Sequence, residues 1–219
     1  EAKSFFAYDP SFRGGLTVAV GDVTGDGVAD IVTGTGPGGA PHVKVFDGRT
    51  GAEIASFFAF DLSFRGGVSV AIGDVNADGK LDVVAGAGFG GAPHVKVFDG
   101  AGGAELASFF AFDSAFRGGV LVAAGDVDGD GAVEVVAVAG DAGASHVKTF
   151  DGTGREERSF FAFDQALRIR LRIAAADVNG DGTDDLVVGP ESGFTPAPRA
   201  FDGATGDPLD VALAAIPVD

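Results

Sequence analysis

The sequence predicts an all-β fold, a β-propeller built from four four-stranded blades of about 52 residues each. Three observations carry that expectation. First, the chain repeats. Ser-Phe-Phe-Ala begins at Ser4, Ser56, Ser108 and Ser159, and Phe-Asp-Gly recurs at Phe46, Phe98, Phe150 and Phe201. Second, every repeat holds short runs of β-branched and aromatic residues closed by glycine or Asp-Gly turns. Third, Gly and Pro make up 46 of 219 residues, a load that suits turn-rich β-structure and not helices.

The elements follow in order. Asp22, Asp74, Asp126 and Asp177 mark a third periodic feature, spaced 52, 52 and 51 like the other two, and the first two repeats agree at 36 of 52 positions. Leu16–Val20 alternates large and small side chains, as a strand with two different faces should. Residues 31–33 and 42–46 are β-branched runs bounded by turns, and Ser56–Phe60 reads as the fourth strand. Gly36-Pro-Gly-Gly39 and Asp47-Gly48 break any helix. A four-stranded unit of this length is a propeller blade; leucine-rich, ankyrin and tetratricopeptide repeats need helical or Leu-patterned units that are absent. The chain is one domain, 1–219, with repeats 4–55, 56–107, 108–158 and 159–210. An outer-type strand at 4–8 precedes the first unit, and a weak counterpart, Leu209 to Leu213, follows the last. Four repeats can close as a ring of four, form half of an eight-bladed homo-oligomer, or be a slice of a longer propeller.

Composition excludes several functions. No Cys removes disulfides and thiolate metal sites. A formal charge of −17 argues against nucleic acid or anionic lipid as partner. No apolar run reaches 18 residues, so no membrane insertion is expected. The absence of a leader and of an initiator Met points to a processed protein or a piece of a longer one.

The charge concentrates in one nine-residue loop per repeat, between the first two strands. The loops read Asp22-Val-Thr24-Gly-Asp26-Gly-Val28-Ala-Asp30, Asp74-Val-Asn76-Ala-Asp78-Gly-Lys80-Leu-Asp82, Asp126-Val-Asp128-Gly-Asp130-Gly-Ala132-Val-Glu134 and Asp177-Val-Asn179-Gly-Asp181-Gly-Thr183-Asp-Asp185. Oxygen donors stand at positions 1, 3, 5 and 9 and Gly at position 6, with position 7 (Val28, Lys80, Ala132, Thr183) supplying a backbone carbonyl. Hard oxygens with no His or Cys select Ca²⁺ over zinc or copper, about one ion per repeat. Asp-Gly pairs also build plain hairpin turns. Four copies in register, each massing carboxylates that repel one another, favour the metal.

These repeats, with their GDVxGDGxxD loop, aliphatic strand, Gly-rich turn and VKVFDG strand, resemble the FG-GAP repeats of integrin α-subunit propellers and their bacterial relatives. The resemblance spans nearly the whole chain. It implies a propeller with a Ca²⁺ in the loop joining the first two strands of each blade, extracellular or cell-surface placement, and a role in adhesion or ligand binding. Thr24 offers a neutral hydroxyl where the pattern has Asp or Asn, and Glu134 closes its loop with one extra methylene.

Other repeated residues have simpler readings. His42, His94 and His146 precede Val-Lys, with Ala197 at the fourth place; they suit blade contacts with ring nitrogens held by backbone, or a repeated pocket. Arg13, Arg65 and Arg117 each follow an Asp by four positions (Asp9, Asp61, Asp113), which suits a structural ion pair, or a row of cations facing an acidic ligand. Leu167–Ile173 instead places Arg168, Arg170 and Arg172 on one strand face, near Arg155 and Arg158, a basic patch expected to pair with Asp207, Asp210 and Asp219 or with a subunit partner. The 20 Phe belong to the repeat frame and read as core.

No catalytic residues are identified: no Ser has a His partner placed by spacing, and no phosphate-cradling motif occurs. The sequence therefore reads as a calcium-binding, non-enzymatic, extracellular propeller that binds a protein or glycan ligand. A sugar-binding lectin or an accessory domain of a secreted hydrolase are the alternatives.

Overall fold

Alternating strand residues must face opposite sides of a sheet, and here both sides of most sheets are covered, so the repeats pack as stacked blades. The structure, a computed structural model, describes residues 4–100, 102–141, 143–191 and 196–211. Among them there is no helix. The first sheet holds β1 (Leu16–Gly21), β2 (Asp30–Thr35), β3 (His42–Phe46) and β4 (Glu53–Phe58). The second holds β5 (Val68–Gly73), β6 (Asp82–Ala87), β7 (His94–Asp99) and β8 (Glu105–Phe110). The third holds β9 (Val120–Gly125), β10 (Glu134–Ala139), β11 (His146–Phe150) and β12 (Glu156–Phe161). The fourth holds β13 (Leu171–Ala176), β14 (Asp185–Pro190), β15 (Arg199–Phe201) and β16 (Pro208–Leu209). Each sheet is antiparallel with its strands in chain order, and the four form a four-bladed β-propeller.

Sequence period and sheet are out of phase. The Ser-Phe-Phe segment that heads one period closes the preceding sheet: Ser56 pairs with Lys44, and Phe57 with Val43. That outer strand starts at Glu53 and ends at Phe58, so Ala59 and Phe60, expected within it, lie in the connection to the next blade. A register shift between Val45 and Phe46 sets Glu53 opposite Phe46 and brings it 2.6 Å from Lys44. The same shift and ion pair recur in the next two blades, as Lys96–Glu105 and Lys148–Glu156. The expected strand at 4–8 does not form: Ser4–Phe6 carry no strand pairing, because the sheet they would extend is not beside them. Of its counterpart at Leu209 to Leu213, Leu209 lies in β16, and residues 212 and 213 lie outside the described residues.

The core consists of three clusters, each straddling two successive sheets. Val32, Val43 and Val45 meet Val68, Val70, Val83 and Phe98. Val84, Val95 and Val97 meet Val120, Val122 and Val135. Val136, Val138 and Val147 meet Leu171, Leu186 and Val188. Adjacent residues of one strand thus serve opposite interfaces, and β6 and β10 are buried along their whole length. Each fully buried Val contributes about 1.5–3 kcal/mol. Phenylalanines close the interfaces, with Phe57 on Phe98, Phe109 on Phe150 and Phe160 on Phe201, centroids 4.7 to 5.0 Å apart.

Candidate metal centre

Strand register positions the acidic loops. Gly21 pairs with Asp30, Gly73 with Asp82, Gly125 with Glu134 and Ala176 with Asp185, so each loop is the hairpin connection from the first strand of a blade to its second. The first aspartate of the loop winds it up. Asp22 accepts the backbone N–H groups of Gly25, Asp26 and Gly27 at 2.8, 3.0 and 2.8 Å. Asp74, Asp126 and Asp177 accept from the matching Gly79, Gly131 and Gly182. That turn needs a left-handed residue at position 6, where the four glycines have φ of 83°, 85°, 91° and 94°. Position 4 is left-handed as well, and there Ala77 stands at φ 57° where the other loops have Gly25, Gly129 and Gly180.

Position 5 caps its own turn: Asp26, Asp78, Asp130 and Asp181 accept the N–H of Val28, Lys80, Ala132 and Thr183. Position 9 is buried in every loop, Asp30, Asp82, Glu134 and Asp185 being at most 3% exposed. These four carboxylates hold the first turn of their loops. Asp30 accepts Thr24 N–H, Asp82 accepts Val75 N–H, Glu134 accepts Val127 N–H and Asp185 accepts Val178 N–H.

Electrostatics separates the rim from the floor of the loop. Hydrogen bonds led by Gly27 N–H hold Asp22 below the ordinary carboxylate range. Burial pushes Asp82 up to about 6 and Glu134 up to about 7, outweighing their backbone hydrogen bonds, and neighbouring loop carboxylates add to the shift. A buried acid among like charges is the signature of a position that gains from a cation.

Among the described residues the carboxylate donors converge in two places. Oxygens of Asp126, Asp128 and Glu134 lie within 4.8 Å of one another, and so do those of Asp181, Asp185 and Asp202. Asp202 belongs to the Phe-Asp-Gly turn and was missed by reasoning on the loop alone; the matching spacing of the two motifs was the available signal. Among the described residues, the first two loops do not reach that closeness with carboxylates alone. Loop one also carries an internal cation: Arg49 Nε donates to Asp26 at 3.0 Å. The donor set fits a hard divalent ion, with oxygen ligands, no nitrogen or sulfur, and a pre-wound loop. Ca²⁺ would be held by the residues at positions 1, 3, 5 and 9, with Asp202 added in loop four, and would supply the positive charge these carboxylates lack.

The other repeated residues lie elsewhere. His42, His94 and His146 hydrogen-bond through Nε2 to Ser56, Ser108 and Ser159 at 2.7 to 2.8 Å and lie against Phe58, Phe110 and Phe161. Their partners are hydroxyls and not backbone, and burial lowers all three pKa values. Each histidine sits in its own blade, and none joins a metal-type cluster among the described residues. A pocket of about 380 Å³ opens at the middle one, lined by Phe60, Phe64, His94, Lys96 and Phe110.

The expected Arg–Asp pairs do not form among the described residues. Arg13, Arg65 and Arg117 fold back onto carbonyls three residues earlier, those of Pro10, Leu62 and Ser114. Asp9 and Asp61 instead accept from Ser11 and Ser63. Arg168 binds the carbonyl of Gln165 in the same way and so continues that series. Arg168 and Arg170 precede β13 and do not share a strand face with Arg172. The patch pairs within the chain, but with different acids from those expected. Arg170 meets Asp141 at 2.5 Å, and Arg172 meets Glu191. Asp219 lies outside the described residues.

Fold and loops together define a repeat β-propeller carrying acidic turns between the first two strands of each blade. The family described as FG-GAP-like repeat matches residues 74–137 and 126–188, and the chain belongs to it. Integrin alpha-V of Gallus gallus is 30% identical over 149 residues, 61% of this chain and 14% of that protein. Among solved structures, the exotype rhamnogalacturonan lyase YesX shares the fold with TM-score 0.61 and 17% identity over 88% of this chain and 40% of its own. A rhamnogalacturonan lyase of Bacillus licheniformis does so with TM-score 0.58 and 16% identity, over 90% of this chain and 50% of its own. The chain thus spans half or less of each of these proteins.

Proposed function

We propose that this chain is a calcium-stabilised, extracellular or cell-surface binding module without catalytic activity of its own, in which Ca²⁺ ties the first two strands of a blade together. The observation that carries it is the buried ninth-position carboxylate present in all four blades, each tied to the start of its own acidic loop. In the second and third blades such a floor is costly without a cation, because burial disfavours the charged form of Asp82 and Glu134. Membership of a family shared with integrin repeats, and the match to integrin alpha-V, support surface placement and a binding role. Isothermal titration of the chelated protein with CaCl₂ tests this: two to four sites support it, with loop one weakest because Arg49 holds Asp26. No calcium heat at millimolar concentrations rejects it.

A glycan-binding role is the second reading. It rests on the pocket between Phe60, His94 and Phe110, whose aromatic and histidine elements recur in the neighbouring blades as Tyr8–His42–Phe58 and Phe112–His146–Phe161. A glycan array without binders would remove it.

A further inference from the structure

Loops three and four are fastened to each other across the junction of the third and fourth blades. The residue responsible is Asp184, at position 8 of loop four, which is not one of the donor positions of that loop. At the two earlier junctions position 8 is apolar and fills the space beside the glycine that ends the first strand of the preceding blade. A Cβ on Gly21 would stand 2.8 Å from Leu81, and one on Gly73 would overlap Val133. Asp184 takes the same place beside Gly125, and it is half-buried there. Unlike Leu81 and Val133 it also makes hydrogen bonds across the junction. Its carboxylate accepts the backbone N–H of Asp126 at 3.2 Å, and its own N–H donates to the carbonyl of Asp126 at 2.8 Å.

Both bonds grip the first residue of loop three. Asp126 winds that loop by accepting the N–H groups of Gly129 and Gly131, and its carboxylate converges with those of Asp128 and Glu134. On the other side Asp184 adjoins Asp185, which converges with Asp181 and Asp202. A second contact runs alongside, since a Cβ on Gly129 would stand 2.7 Å from the methyl of Thr183. Among the described residues no hydrogen bond of this kind joins loops one and two or loops two and three. The two loops whose carboxylates converge are thus the two that are tied together.

We infer that Asp184 is a positioning residue that couples these two cation sites, so that each loop binds calcium more tightly when its neighbour is occupied. This rests on the calcium reading above and adds to it a role for a residue outside the donor positions. The physical reason is preorganisation. Donors must be ordered before they hold an ion, and a loop already held by its ordered neighbour loses less freedom on binding. The effect is reciprocal, because a coupling free energy belongs to both sites. Repulsion between two dications opposes it, but the two loops with Asp202 carry nine carboxylates. The pair therefore stays acidic with both ions bound and still attracts the second.

The test is calcium titration of the 219-residue protein followed by ¹H–¹⁵N NMR at two amides. Gly131 reports on loop three and Gly182 on loop four, each N–H being bonded to the first aspartate of its loop. Asp181→Ala strips a donor from loop four, and it should raise the calcium needed for the half-shift of Gly131 about fivefold or more. Asp184→Val places there the residue that already fits the second junction as Val133, so the fold is kept while the acceptor is lost. It should raise the Gly131 midpoint by a similar factor, and adding Asp181→Ala should then change little. Asp184→Asn keeps an oxygen for the N–H of Asp126 and should stay near the unaltered protein. A Gly131 midpoint that ignores Asp181→Ala, or that Asp181→Ala moves equally with Val at 184, would overturn the coupling while leaving calcium binding intact. So would Asp184→Asn weakening the site as much as Asp184→Val. If neither amide responds to millimolar calcium, the calcium reading falls and the coupling with it.

Discussion

The carboxylate of Asp30 accepts the backbone N–H of Gly48 at 2.9 Å, so the closing acid of the first loop reaches the Asp-Gly turn that follows the third strand. Two motifs 18 residues apart are thereby fastened at one end of the blade. The same neighbourhood in the fourth blade brings Asp202 of the turn beside Asp181 and Asp185. One carboxylate thus pins the loop and holds the turn.

Asp30→Ala removes the acceptor of both Thr24 and Gly48 N–H. Buried donors left without a partner cost about 1–3 kcal/mol each. The variant should therefore melt lower even in EDTA, as read by urea denaturation. Equal stability of the two proteins in EDTA would show that the carboxylate has no structural role without metal.

Asp202→Asn keeps an oxygen for the N–H of Thr205, which Asp202 now accepts at 2.7 Å, while removing the charge. Calcium titration should lose or weaken one site while the metal-free melting temperature moves little. An unchanged titration would place Asp202 outside the ligand set.

Calcium stabilisation should shrink as pH falls from 7.5 to 5.5. Glu134 and Asp82, raised by burial to about 7 and about 6, take up protons in this window and must lose them to bind the ion. For the metal-free protein the sign is opposite. Their folded values lie above the unfolded ones, so folding binds protons and stability falls as pH rises through the same range. Thermal melts with and without calcium at both pH values read both trends, and Glu134→Gln should flatten them.

Ala77→Gly should stabilise the protein. The left-handed backbone at φ 57° costs a residue with a Cβ about 1 kcal/mol or more, and glycine gives part of that back as unfolded-chain entropy. A net gain of about 0.5 kcal/mol corresponds to one or two degrees in a chain of this size. A lower melting temperature would contradict it.

The period, strand content and loop chemistry were legible because each blade repeats the same local solution. Leu16–Val20 alternates because Thr17 and Ala19 face the second blade while Leu16, Val18 and Val20 point to the opposite, exposed side. What the sequence hid were partners chosen by three-dimensional proximity. Arg13 and Asp9 sit four apart, yet the short loop lets Arg13 satisfy itself on the carbonyl of Pro10 while Asp9 turns to Ser11. Arg170 finds Asp141, 29 residues away, because the third and fourth blades adjoin there. Asp202 escaped notice since its loop joins a different pair of strands. The extent of the outer strand was also misplaced, because the shift at Phe46 starts its pairing at Glu53, ahead of the Ser-Phe-Phe marker.

The most direct test of the central claim is thermal unfolding in EDTA against unfolding in saturating calcium. With free calcium about tenfold above Kd, each occupied site adds about 1.4 kcal/mol. Several sites together should raise the midpoint by about 10 °C for a chain of this size. A melting temperature that is the same with and without calcium would contradict the account.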